Sequence, residues 1–318
     1  MSSAFIFPGQ GSQKVGMASA FMNGYKTGME VMEEIEDAIS FKLSDLIENG
    51  SIEELTKTEN AQPAIFAVSI MCVKILEREY GYNFSKECKY FAGHSLGEYS
   101  ALCAAGVFSI ADAAKLVRFR GELMARAFPD SQNCAMVALI GLSADDIEDL
   151  ASKYQSGQNV CVIANDNSNS QVVISGNRST VLEFIEKAKE ITKLTKAIEL
   201  NTSGPFHSPL MAKASIEFDK KLSSEFFPGD FSIPVIMNVS ATPINSKSDV
   251  SEYMVRQMTS RVRWRETVQL MADDSEITKI IEIAPGKALS NMLKRAIPGV
   301  NTFSLETVSQ IEEFIKSE

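Results

Sequence analysis

Ser95 lies in Gly93-His94-Ser95-Leu96-Gly97, a serine between two glycines at the spacing of a nucleophile elbow. In that device a sharp strand-to-helix turn lifts the hydroxyl clear of the backbone, and glycines stand where side chains would collide. The chemistry it serves is attack on an acyl carbon, which needs a base to take the serine proton. The pattern alone arises by chance in roughly one chain in ten of this length, so its context and partner residues must decide.

The chain has two histidines. His94 adjoins Ser95, and in an elbow its side chain points away from the serine, which suits a structural role. His207 lies in Ser203-Gly204-Pro205-Phe206-His207-Ser208-Pro209, a segment stiffened by prolines on both sides. Ser208 and Pro209 read as the N-cap and first residue of a helix. An imidazole beside a helix N-terminus has its cation disfavoured and stays neutral, as a base must. The competing reading is an incidental loop histidine.

Arg120 is the informative cation. The spacing predicts a helix over Ile110–Ala127, on which Ala113, Leu116, Val117, Leu123, Met124 and Ala127 form one apolar stripe. Arg120 falls in the middle of that stripe, whereas Lys115, Arg118 and Glu122 fall opposite. A buried guanidinium must be paired, because an unpaired buried charge costs several kcal/mol. Two partners fit: a buried Asp or Glu of the chain, or a substrate carboxylate gripped through two hydrogen bonds.

The elements that must position these residues alternate between strand and helix. Ala4–Phe7 reads as a buried strand running into the loop Pro8-Gly9-Gln10-Gly11-Ser12. Pro63 suits the first turn of a helix continuing through Ala64–Glu79. Tyr90–Gly93 reads as the strand before Ser95 and Leu96–Ala105 as the helix after it. The amide of Leu96 then lies at a helix N-terminus, which favours negative charge. Further on, Cys134–Gly141 is strand-like, and Ser143 with Asp146 signs a helix start. Val160–Ala164 and Gln171–Ser175 are strands separated by a turn at Asp166-Asn167-Ser168-Asn169. Ser179–Lys189 reads as helix and Thr195–Leu200 as strand. That βαββαβ order is the ferredoxin-like unit. The expected fold class is therefore α/β: a ferredoxin-like subdomain at residues 129–200, inserted in one large α/β domain formed by 1–128 and 201–318. The last parallel strand of the large domain is expected near Lys279–Ile283.

Composition narrows the partners. The 318 residues are 45% hydrophobic and 23% charged, as in a soluble enzyme. A net charge of −10 argues against nucleic-acid binding. No apolar run approaches the ~18 residues of a membrane span, and the N-terminal segment lacks a signal peptide's basic region and apolar length. The five cysteines are scattered without C-x-x-C spacing, which reads as reduced thiols in a cytoplasmic protein. Without a Cys/His cluster, no zinc site is expected.

Several motifs in order resemble the malonyl-CoA:acyl carrier protein transacylases of bacterial fatty-acid synthesis, over essentially the whole chain. They are Phe7-Pro8-Gly9-Gln10-Gly11-Ser12-Gln13, Gln62-Pro63-Ala64, Gly93-His94-Ser95-Leu96-Gly97-Glu98, Arg118-Phe119-Arg120-Gly121, Ser203 to Ser208, Val262-Arg263-Trp264 and Glu282-Ile283-Ala284-Pro285-Gly286. The resemblance implies an α/β-hydrolase-like large domain with a parallel sheet and the ferredoxin-like insert. It implies malonyl transfer from malonyl-CoA to carrier-protein phosphopantetheine through Ser95, with His207 as base. Backbone amides of Gln10 and Leu96 would form the oxyanion hole and Arg120 would bind the malonyl carboxylate. Gln257 corresponds to the family's glutamine near the histidine, which is there oriented by a backbone carbonyl. Phe206 either limits bulk at the malonyl α-carbon or is a plain core aromatic. Ala284, where the family usually has glycine, and Val239-Ser240-Ala241-Thr242 after Asn238 depart from the pattern. No cofactor is expected, since the CoA and phosphopantetheine thioesters are substrates, and a monomer is expected.

Carrier protein is acidic, as is this chain, so docking requires a local basic patch. Arg261, Arg263, Arg265, Lys287, Lys294, Arg295, Lys115 and Arg118 are the candidates. Two rival functions share some of these features. A serine esterase or thioesterase would have an Asp in triad order and a His-Gly-Gly-Gly oxyanion loop, and the latter is absent. A non-catalytic carrier-binding module would not need Ser95, His207 and Arg120 together.

Overall fold

The computed structural model describes residues 2–128, 131–154 and 159–317. Its strands, in chain order, are β1 (Ser2–Phe7), β2 (Cys88–Gly93), β3 (Cys134–Ile140), β4 (Cys161–Ser168), β5 (Gln171–Asn177), β6 (Lys196–Glu199), β7 (Val235–Met237), β8 (Thr242–Ile244), β9 (Ile277–Ile283) and β10 (Thr302–Leu305). They form two sheets, β10-β9-β1-β2-β7-β8 and β4-β5-β3-β6. The first is parallel except for the terminal β7–β8 pair, and the second is antiparallel throughout. The molecule is thus α/β, with a largely parallel sheet and a separate antiparallel one.

Burial on both faces makes a parallel strand a continuous apolar run, and β1 follows that rule. Phe5 and Phe7 enter one core with Phe91, while Ala4 and Ile6 enter another with Trp264 and Val268. The small sheet is also covered twice. Along β3, Ala135, Val137 and Leu139 pack with Phe184 and Ile185 of the helix Arg178–Ile191, whereas Met136 and Ala138 pack on the large body. One strand therefore joins two cores by simple alternation.

The small sheet meets the large body through residues 261–265. Val262 exchanges backbone hydrogen bonds with Ala164 (2.8 Å) and Asp166 (2.9 Å) of β4. Arg265 pairs with the buried Asp166 at 3.0 Å, and Arg261 pairs with Glu148 at 2.7 Å.

Several expectations need correction. Pro63 lies inside the helix Thr58–Arg78, not in its first turn. Its ring lacks the N–H that would bond the carbonyl of Glu59, and Arg118 Nη1 supplies that bond at 2.9 Å. Ser143 and Asp146 do exchange capping bonds, but only turns follow before the short helix Glu148–Ala151. The expected turn at 166–169 is mostly strand: β4 runs to Ser168, and residues 169–170 make the reversal. β9 is not the last parallel strand, since β10 pairs beyond it. The expected domain boundary at residue 129 falls outside the described residues.

Candidate active site

The elbow follows from β2 running directly into the helix Gly97–Ala104. Ser95 at the apex has φ +51°, in the left-handed region. A Cβ on Gly93 would sit 1.9 Å from the Gly97 carbonyl carbon, and one on Gly97 would sit 2.1 Å from the Phe7 oxygen. No side chain survives such distances, so both glycines are required by the turn. The Ser95 N–H donates to Asn238 Oδ1 at 2.8 Å, and Asn238 Nδ2 donates to the Gly93 carbonyl at 2.6 Å.

His207 comes from the loop before the helix Ala212–Glu225. Its Nε2 stands 2.8 Å from Ser95 Oγ, and its Nδ1 stands 2.8 Å from the Gln257 carbonyl oxygen. A carbonyl only accepts, so Nδ1 carries the proton and Nε2 is left as the acceptor facing the serine. Burial, and then the positive charge of Arg120, push the imidazole down to about 3. The neutral ring was expected, but its cause differs: it is burial beside a cation. Nor does the Ser208 hydroxyl cap the helix; it donates to the Pro205 carbonyl at 2.6 Å. His94 points away, with Nε2 2.9 Å from Asn167 Oδ1 and its ring edge-on to Trp264.

Arg120 is 1% exposed on the helix Ile110–Arg126. Nη1 donates to Gln62 Oε1 (2.7 Å), and Nη2 donates to Gln257 Oε1 (2.9 Å) and Ser95 Oγ (3.1 Å). Its carbon lies 5.1 Å from the Tyr99 ring centre, and Nε is buried without a partner. Among the described residues it forms no ion pair. The buried carboxyl of Glu98 is linked to it by hydrogen bonds through an amide: Gln257 Nε2 donates to Glu98 Oε1 and to the Ser95 carbonyl, both at 2.9 Å. Glu98 Oε2 accepts the Asn238 N–H at 2.6 Å. Burial raises this carboxyl to about 8, against the bonds from Asn238 and Gln257 and the charge of Arg120. Burial also lowers the guanidinium's pKa.

These groups face a cleft of about 300 Å³ between the two sheets. Gln10, Leu96, Met124, Met136 and Phe206 line it beside Ser95, His207 and Arg120. Among the described residues, the backbone N–H groups of Gln10 and Leu96 have no partner in the protein. Gln10 is held from its side chain, Nε2 donating to Thr58 Oγ1 at 3.2 Å. The structure thus brings Ser95, His207, Arg120, Gln257, Gln10, Leu96 and Phe206 together in one place. Glu98 and Gln62 stood in the quoted motifs without a role, and Tyr99 did not figure at all. The signal for Glu98 was available: it is the one acid in a helix whose eight residues are all buried. Asn238 and its bond to the Ser95 amide carried no such signal.

Half of the expected basic patch is occupied. Arg261, Arg263 and Arg265 are paired with acids, and Arg118 bonds Glu122 and Asn60 while covering Phe41. Lys115, Lys287, Lys294 and Arg295 are exposed and, among the described residues, free of ion pairs; Arg295 Nε donates to the Asn291 carbonyl at 3.1 Å.

Comparison with known proteins gives the family. A family model described as acyl transferase domain matches residues 4–310. The malonyl CoA-acyl carrier protein transacylase of Bacillus subtilis (strain 168) is 38% identical over 314 residues, covering 99% of this chain and 96% of that protein. The protein of the same name from Staphylococcus aureus (strain COL) is 34% identical, covering 97% of each chain. The crystal structure of acyl-carrier-protein-S-malonyltransferase from Bartonella henselae superposes with a TM-score of 0.94 at 39% identity, over 100% of this chain and 99% of that one. A holo complex of a type II PKS acyl-carrier protein with its malonyl-transacylase gives 0.93 at 31% identity, over 100% of both chains. This chain is an acyltransferase that belongs to the acyl transferase domain family, among the malonyl CoA-acyl carrier protein transacylases.

Proposed function

We propose that the chain moves a malonyl group from malonyl-CoA to the phosphopantetheine thiol of acyl carrier protein through a malonyl ester on Ser95. The observation that carries this reading is Arg120: a buried guanidinium with no carboxylate partner among the described residues, 3.1 Å from Ser95 Oγ. The substrate's free carboxylate supplies the missing anion. No cofactor takes part, and the enzyme acts as a cytoplasmic monomer. Among the described residues, no helix is long and apolar enough to cross a membrane.

His207 Nε2 takes the Ser95 proton while Oγ bonds to the thioester carbon. The Gln10 and Leu96 amides receive the oxyanion, each donor worth ~3–4 kcal/mol. The carbon–sulfur bond breaks, His207 returns the proton to the CoA sulfur, and the malonyl group stays on Ser95. The carrier thiol then enters, gives its proton to His207 and takes the malonyl group by the same steps reversed. Gln62 and Gln257 hold the guanidinium in place, and Phe206 limits bulk at the α-carbon. Of the expected docking cations, Lys115, Lys287, Lys294 and Arg295 are, among the described residues, free of ion pairs and so open to an acidic carrier. In this reading residues 1–128 and 201–318 form the α/β-hydrolase-like catalytic domain, and residues 129–200 form the ferredoxin-like subdomain that closes the cleft.

Intact mass spectrometry tests it. Malonyl-CoA is expected to leave one malonyl adduct, lost in Ser95→Ala, that a pantetheine thiol discharges much faster than water does. Rapid hydrolysis without acceptance by the thiol would instead identify an esterase.

A further inference from the structure

Glu98 is bonded to both residues that hold the ends of the nucleophile. Asn238 carries the Ser95 amide, and Gln257 carries the Ser95 carbonyl, the His207 imidazole and the Arg120 guanidinium. Asn238 N–H occupies Glu98 Oε2, and Gln257 Nε2 occupies Glu98 Oε1. Both oxygens of this buried side chain therefore face donors. We infer that Glu98 is a positioning residue for malonyl selectivity: it fixes which way the Gln257 carboxamide points, and so keeps Gln257 Oε1 turned to Arg120.

The reasoning is a matter of donors and acceptors. A primary amide has one oxygen and one NH₂, and a half-turn exchanges them at almost no steric cost. Gln257 must present oxygen to the guanidinium, which only donates. The opposite orientation would set NH₂ against Arg120 and oxygen against the Ser95 carbonyl. At position 98, Oε2 faces the Asn238 N–H and Oε1 faces the Gln257 NH₂, so neither oxygen has an acceptor for an acid proton. The geometry is that of the ionised form even though burial opposes it. An acceptor-only group there forbids the opposite orientation, because it too would meet the Gln257 oxygen. The rule is then relayed to the cleft: Arg120 stays in the plane that a substrate carboxylate can grip. Glu98 touches no reacting atom.

The isosteric substitution Glu98→Gln separates this from mere packing. The Asn238 N–H belongs to the backbone and cannot turn, so it keeps the oxygen of the new side chain. The new NH₂ then faces Gln257 Nε2, donor against donor, and relief comes by turning Gln257 over. The aspartate variant Glu98→Asp keeps two acceptor oxygens at the cost of one methylene.

The test measures kcat/KM for malonyl-CoA and for acetyl-CoA on the same sample of each variant, which makes their ratio independent of the folded fraction. It also measures labelling of Ser95 by the uncharged reagent phenylmethylsulfonyl fluoride. For Glu98→Gln the malonyl/acetyl ratio is expected to fall about tenfold or more, as befits the loss of a hydrogen bond to a charged group. The loss should sit chiefly in the malonyl KM, with Ser95 labelling within about threefold of wild type. Glu98→Asp should keep the ratio. Equal loss for both acyl groups, an unchanged ratio, or a ratio lowered as far by aspartate would overturn the inference. If Glu98→Gln is insoluble, Glu98→Asp decides alone: a lost ratio overturns the inference, and a kept one supports it. The inference rests on Arg120 being the malonyl clamp. A wild-type enzyme with no malonyl preference would remove that premise, whereas a wild-type preference kept by Glu98→Gln would remove only the role of Glu98.

Discussion

The two halves of the site are built in different ways. The reactive half, Ser95 and His207, sits on backbone bent into rare conformations: both residues have positive φ, and neither is glycine. Each stands in a short contiguous stretch whose glycines and prolines force the bend. The selective half is a cage of ordinary helix residues around Arg120. Its members, Gln62, Glu98, Arg120 and Gln257, come from four separate helices and meet only in the folded chain. Reactivity is thus set by local geometry, and choice of acyl group by a polar network buried between helices. Removing a part of one half should leave the other recognisable.

The largest effect is expected from the reactive half. His207→Ala removes the group that accepts the Ser95 proton, and in enzymes of this kind such a loss costs on the order of 10⁴-fold or more in rate. Stopped-flow or quenched-flow mass spectrometry of the malonyl adduct measures it directly. Near wild-type acylation in this variant would mean that another group serves as base.

The selective half should respond differently. Arg120→Ala is expected to slow malonyl transfer by the ~2–5 kcal/mol of a truncated buried charge pair, roughly 30-fold to several thousandfold. Acetyl transfer should change far less, so the preference narrows. Parallel kcat/KM measurements with the two thioesters decide it. A preference that survives intact places acyl selection elsewhere in the cleft.

The same contrast explains what was legible in the sequence. The elbow could be read from five residues, because its glycines are a steric necessity that no distant contact replaces. Arg120 could be read as anomalous from helical periodicity alone. Its partners could not, since periodicity says that a charge is buried but not what faces it. Pro63 shows the limit from another side. A proline reads as a helix start because its missing N–H leaves a carbonyl unpaired, and here Arg118 fills that gap from 59 residues away. The strands β7, β8 and β10, at three or four residues each, are too short to display a period. Likewise Asp166, Asn167 and Ser168 read as a turn but are strand residues of β4, and Asp166 and Asn167 reach across to Val262, Arg265 and His94.

The smallest expected effect is the one that couples the two halves. Arg120 is the second cause, after burial, of the low basicity of His207. The base works as the neutral imidazole, so rate falls as pH drops through its pKa, and a depressed pKa puts that acid limb well below the ordinary value for histidine. Arg120→Ala removes a neighbouring positive charge, which must raise the pKa and move the limb to higher pH. Burial is unchanged, so the limb stays below its ordinary place. Labelling of Ser95 by phenylmethylsulfonyl fluoride across the acid range reads this without involving a substrate carboxylate. A bound malonyl carboxylate does reversibly what the substitution does permanently, because it neutralises the guanidinium. The acid limb of kcat, which reports the complex, should therefore lie above that of kcat/KM for the free enzyme. Coincident limbs in the wild type, with no movement in Arg120→Ala, would show that the selective half leaves the base untouched. Separated limbs would mean that the acyl group recognised by Arg120 also sets the strength of the base that receives the serine proton.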